Sequence, residues 1–131
     1  MSRLLVSSGS LLEPEIGFSR AVRVGNHVAV AGTAPIGVDG ATVGVGDMAA
    51  QTKHCLRIGL QALAEAGAGP DHVIRSRILL TDITRWRAGA AAHGAIFAKV
   101  RPACTFVEVS RFIDPDWLVE IELDAIIESE T

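Results

Sequence analysis

Apolar and polar residues alternate in five stretches of the chain and recur at three- and four-residue steps in two others. Period two marks strands and a period near 3.6 marks helices, because side chains return to one face at those repeats. SRAVRV (19–24) and HVAVA (27–31) read as the first two strands, joined by Gly25-Asn26, a two-residue turn signal that accommodates positive φ. HVIRSRILLT (72–81) is a third, with Ile74, Ser76, Ile78 and Leu80 set against Val73, Arg75, Arg77 and Leu79. CTFVEVS (104–110) and LVEIELDAII (118–127) complete the series. In the last, Val119, Ile121, Leu123 and Ala125 face one way and Glu120, Glu122 and Asp124 the other.

The first helix begins at Asp47, whose carboxylate suits an N-cap, and carries Ala49, Thr52, Leu56, Leu60 and Leu63 on one stripe to about Ala66. Gly67 and Pro70 supply its end. A second helix follows Thr84, with Trp86, Ala90, His93 and Phe97 on one stripe. Gly89 and Gly94 weaken it by roughly 1 kcal/mol each relative to alanine, so packing must hold it. The order is β-β, helix, β, helix, β-β. Such a chain is α+β, with two helices covering one face of a mixed sheet. Nothing remains to cover the other face, and self-association is the economical answer.

Composition narrows this further. At 131 residues and 49% hydrophobic, the chain suits a single domain over 1–131 and is too apolar for disorder. It lacks a long uncharged apolar run, so no membrane span is expected. A net charge of −3 with only two lysines speaks against nucleic acid. Cys55 and Cys104 are too few for a disulfide scaffold and lack zinc spacing, so no metal site is expected. The start, MSRLLVSSGSLLEPE, lacks the pattern of a signal peptide, and the expectation is a cytoplasmic protein. The glycines of GTAPIGVDGATVGVG are not followed by Gly-Lys-Thr/Ser, so they form no nucleotide loop, and no cofactor is expected.

Three blocks carry a family resemblance: GFSRAVRVGNHVAVAGTAP, GDMAAQTKHCLRIGLQALAEAGAG and RPACTFVEVSRFIDPDWLVEIELDA. Together they resemble the Rid (YjgF, or L-PSP) family from about Ser8 to Ala125, most specifically in the block Pro102 to Arg111. The resemblance implies a chorismate-mutase-like sandwich that assembles as a homotrimer, with ligand clefts between subunits. It also implies a hydrolase of reactive imines or enamines acting on a small metabolite, with Glu120 activating or orienting water. Phe18, Ala31, Gly32, Thr33 and Ala90 then fall around the cleft, together with Arg101, Cys104 and Thr105.

This chain departs from the family's best-known branch. The arginine that grips a substrate carboxylate falls on Cys104, the tyrosine on Phe18, a serine on Ala31 and a helix asparagine on Ala90. An arginine–carboxylate fork contributes roughly 1.5–3 kcal/mol, and a thiol cannot replace it. The usual carboxylate imine is therefore not the expected substrate, and a non-catalytic metabolite-binding or regulatory role is the alternative. Arg101 lies near enough in sequence to swing toward the cleft, or is a plain loop arginine. The endoribonuclease or translation-inhibitor activity attributed to some members fits the charge poorly.

The residues allow bland readings beside the sharp ones. Glu120 is either a cleft base or part of a solvated strand face, where Arg75 or Arg77 would pair with the acids. Cys104 is a nucleophile if His93 serves as its base, and otherwise a small buried or pocket-lining thiol. Cys55 falls on the apolar side of the first helix and His93 on the inner stripe of the second, while His27, His54 and His72 suit the surface.

Overall fold

The structure, a computed structural model, describes residues 2–128. Six strands, β1 (Arg3–Val6), β2 (Ala21–Val24), β3 (His27–Thr33), β4 (Val73–Leu80), β5 (Ala103–Glu108) and β6 (Val119–Ile126), form one sheet in the order β1-β2-β3-β6-β4-β5. Neighbours are antiparallel except β4 and β5, which run parallel. A parallel pair needs a crossover, and the helix α3 (Trp86–Phe97) supplies it.

The long helix α2 (Met48–Glu65) starts where expected, with the Asp47 carboxylate accepting from the Ala50 amide at 3.0 Å. Its inner face brings Leu56 and Leu63 onto Ile78, Leu80, Ile121 and Leu123 of the sheet, with Phe97 of α3 completing the core. Gly59 allows the close approach: a Cβ there would stand 3.1 Å from Ile121 Cδ1 and 3.2 Å from Leu123 Cδ1. Both long helices pack on one side of the mixed sheet, as the alternation of β6 requires.

Five details differ from the sequence expectations. On α2, Ala49 is exposed and Met48 takes its place in the core. β1 and a short helix α1 (Leu12–Ile16) were not foreseen in the N-terminal segment. β5 runs from Ala103 to Glu108 and stops short of Ser110. A register shift between Val73 and Arg75 turns Val73 inward, so Ile74 is exposed while Ser76, Ile78 and Leu80 keep the predicted face. Trp86 does not share the inner stripe of α3; it is exposed, with the Arg87 guanidinium 4.5 Å from its ring centroid. Gly89 and Phe97 are the buried positions there.

A buried amide delivers the last strand. Gln51 Nε2 donates to the carbonyls of Asp116 (2.9 Å) and Gly44 (3.2 Å), and its Oε1 accepts from the Leu118 amide (2.8 Å). The Gln51 side chain is fully buried and its three contacts are partly buried, so the loop entering β6 is fixed two residues before Glu120.

Candidate functional site

Glu120 stands near the start of β6, opposite Leu79 of β4, on the sheet face away from the long helices. Glu122, Asp124, Arg75 and Arg77 share this face through the same register. Arg77 pairs with Glu122 (3.4 Å) and Asp124 (3.5 Å), so the acidic row is partly neutralised, but no ion pair to Glu120 forms among the described residues. Both partners are substantially exposed, and such pairs contribute little to stability.

Glu120 is held by a distortion of β3. Between Val30 and Thr33 the register against β6 slips, placing Ala31 and Gly32 in a bulge. A Cβ on Gly32 would lie 2.9 Å from Glu120 Oε1, a separation that side-chain carbons do not tolerate. The carboxylate thus rests against bare backbone. Burial pushes its pKa above the ordinary carboxylate value, nearby Arg20 pulls it back, and Glu122 adds to the rise. The net shift is upward, the direction that makes a carboxylate a stronger base.

Arg20 is the buried charged residue beside Gly32 that sequence reasoning missed. It is 5% exposed; its Nη1 donates to the Gly32 carbonyl (2.7 Å) and to Thr33 Oγ1 (3.1 Å), and its Nε donates to Ser8 Oγ (3.1 Å). The Phe18 ring lies beside it, 5.2 Å from centroid to guanidinium carbon. Burial lowers the pKa of Arg20, and the charges of Glu13 and Glu120 oppose that change. Glu13 in turn ties down the N-terminal loop, accepting from the Ser8 hydroxyl (2.8 Å) and the amides of Ser8 and Ser10. Burial raises its pKa, but the hydrogen bonds from Ser8, Ser7 and Ser10 outweigh that effect and hold it below the ordinary value.

Phe18, Ala31, Gly32, Thr33 and Glu120 therefore gather around one guanidinium. Ala90, Arg101, Cys104 and Thr105 do not join them within the protomer. They belong to α3, the following turn and β5, and β4 separates β5 from β6. Cys104 is exposed, which leaves pocket lining as the compatible alternative to a nucleophile. Thr105 is exposed beside it, and Arg101 is exposed with φ at 54°, a left-handed conformation unusual for arginine.

His93 is packed and hydrogen-bonded: its Nε2 lies 2.7 Å from Ser76 Oγ, and its ring meets Phe97 at 4.7 Å. Burial lowers its pKa, which favours the neutral ring. Of the three histidines expected at the surface, only His27 is fully exposed; His54 contacts the Ile36 carbonyl at 2.8 Å and His72 Nδ1 accepts from Gly69. Cys55 lies in the core, where burial drives its thiol pKa far up. A cavity of about 930 Å³ opens on the helix side between α2, the N-terminal loop and the loop after β3, lined in part by Arg20, Thr33, His54 and Trp117. Glu120 does not line it. Among the described residues no three His, Cys, Asp or Glu side chains gather as a metal site, and no helix is long and apolar enough to cross a membrane.

A mixed sheet backed by two helices on one face defines the α+β, chorismate-mutase-like sandwich of the YjgF fold. The chain matches the family described as Endoribonuclease L-PSP over residues 9–127. It is 41% identical to an uncharacterized protein of Streptomyces coelicolor over 92% of this chain and 89% of that one. It is 35% identical to the 3-aminoacrylate deaminase RutC of Acinetobacter baylyi over 77% of this chain and 79% of the relative. Among solved structures, Rv2704 of Mycobacterium tuberculosis, a member of the YjgF/YER057c/UK114 family, superposes with a TM-score of 0.87 at 48% identity, covering 96% of this chain and 100% of that one. The chain belongs to this YjgF/L-PSP (Rid) family.

Proposed function

We propose that this protein hydrolyses a small imine or enamine in clefts between the subunits of a cytoplasmic homotrimer. The observation that carries the reading is the half-buried Glu120 carboxylate, seated against the Gly32 backbone with a raised pKa. In that seat Glu120 takes a proton from water as the water oxygen bonds to the imine carbon. The proton passes to the nitrogen, giving a carbinolamine; the hydroxyl proton then follows to the nitrogen through the same carboxylate as the carbon–nitrogen bond breaks, so that ammonia leaves and a carbonyl remains. The relative named 3-aminoacrylate deaminase supports an unsaturated amine as the substrate class.

The separation of Cys104 and Thr105 from Glu120 within the protomer supports a cleft closed by a second copy. So does the open sheet face, where β1 presents Leu5 and β5 presents Val107 to solvent. Sedimentation velocity at micromolar concentration is expected to return a trimer; a monomer of 13.8 kDa would remove the cleft. The uncharged Cys104 favours a substrate without a carboxylate at that position. It equally favours a second reading, metabolite binding without turnover.

Enzymatically generated 2-aminoacrylate and 3-aminoacrylate, trapped competitively with semicarbazide, separate the two. Slow turnover by the native chain, faster turnover by Cys104→Arg and loss of about 10²-fold in Glu120→Gln are the expected results. Binding of these imines by the native chain without turnover would overturn the hydrolase reading, and full activity in Glu120→Gln would remove Glu120 from the chemistry.

A further inference from the structure

Arg20 connects parts of the chain that otherwise touch only through strand pairing. Its amide donates to the Val6 carbonyl (2.8 Å) and its carbonyl accepts from Ala31 (2.9 Å), so its backbone lies between β1 and β3 at the level of the bulge. Its side chain then fastens the bulge from below. Nη1 grips Gly32 O and Thr33 Oγ1 together, while Thr33 Oγ1 donates to the Ala31 carbonyl at 2.7 Å. Every residue of the bulge is thereby fixed, directly or through one hydroxyl, by a single guanidinium.

The same group stands next to the carboxylate that the bulge cradles. From the elements packed around Glu120, β6 contributes Glu122, α2 contributes the Cys55 thiol, and β4 contributes apolar Leu79 opposite. Arg77 of β4 is engaged with Glu122 and Asp124, and Glu13 of α1 faces Arg20. Arg20 is the cation that acts on Glu120.

We propose that Arg20 is a positioning residue for Glu120: it locks the Ala31–Thr33 bulge that seats the carboxylate and places a buried positive charge behind that bulge. The proposal rests on the reading of Glu120 as the proton-transferring group.

The test is a carboxyl-carbon NMR titration of the assembled protein labelled at glutamate, with Glu120→Gln assigning the resonance. In Arg20→Gln the titration of Glu120 is expected to move up by about one pH unit or more, because an opposite charge at close range has been removed. The acidic limb of any imine hydrolysis should move with it. A folded Arg20→Gln protein whose Glu120 titrates as in the native chain would overturn the proposal.

Should Arg20→Gln fail to fold, Arg20→Lys decides. Lysine keeps the charge but cannot span Ser8, Gly32 and Thr33 with one fork. Glu120 should then titrate within about half a unit of the native value. The Gly32 and Thr33 amide resonances should shift and plateau activity should fall about tenfold. Unaltered amides and activity would overturn the proposal. If the titration follows Arg20 while the native chain turns over no imine, the hydrolase reading fails and the positioning of Glu120 by Arg20 stands.

Discussion

Glu120 occupies the space that any side chain on residue 32 would need, its Oε1 lying 2.9 Å from the position of a Cβ there. Gly32→Ala is therefore expected to push the carboxylate aside rather than disrupt the fold, since the displaced atom ends a flexible side chain. Turnover or ligand affinity should fall by about 10- to 100-fold, with stability changed by less than ~1 kcal/mol. Circular dichroism melts alongside the imine assay check both halves.

The raised pKa of Glu120 also carries a stability signature. A carboxyl whose pKa is higher folded than unfolded favours folding while protonated. That advantage is complete below the ordinary value of 4.5 and is lost as pH rises through the raised folded value. Above that window the ionised group opposes folding. Glu120→Gln should accordingly match or exceed the native Tm at pH 7–8, and the difference should shrink at pH 4. A large fall in Tm at neutral pH would instead mark Glu120 as a structural ion-pair partner.

Gln51 makes the opposite prediction, a structural loss that reaches the site indirectly. Gln51→Leu leaves the Leu118 amide and the Asp116 and Gly44 carbonyls without their buried partner. A fully buried group left unpaired costs about 1–3 kcal/mol, and these partly buried ones recover some of that from water. Urea unfolding should show a loss of at least ~2 kcal/mol. Glu120, two residues beyond Leu118, should become more mobile.

Arg101 distinguishes strain from function. At φ 54° it closes the turn after α3 in a conformation that glycine adopts freely. Arg101→Gly should leave stability unchanged or raise it by up to ~1 kcal/mol. If Arg101 also holds a ligand in the cleft, affinity in isothermal titration should fall in the same variant. A stability gain with unchanged affinity would assign it to the turn alone.

The elements that were legible in the sequence are those whose period is enforced by burial on one side. β6 alternates without error because one face meets α2 and the other does not, and α2 declares itself through Asp47 and its apolar stripe. β1 has a single buried residue, Val6, and α1 is five residues with a proline, so neither imposes a pattern. Glu120 and Gly32 were identified together from the family resemblance, which does not extend to the guanidinium joining them. Arg20 precedes an alternating strand and looks like any polar strand residue. Its burial depends on the Gly32 carbonyl and on Thr33, thirteen residues away, a coincidence that only the bulge creates. The Ser76–His93 contact depends likewise on where α3 lands on β4.

The contrast between the two cysteines has a practical side. Cys55 is sealed in the core with its thiol held protonated, whereas Cys104 is open on a sheet edge, at the position the family resemblance assigns to the cleft. A thiol-directed fluorophore or spin label will mark the native chain at a single place without engineered cysteines. In the proposed trimer its signal would gauge subunit assembly and cleft occupancy, independent of whether any substrate has yet been found.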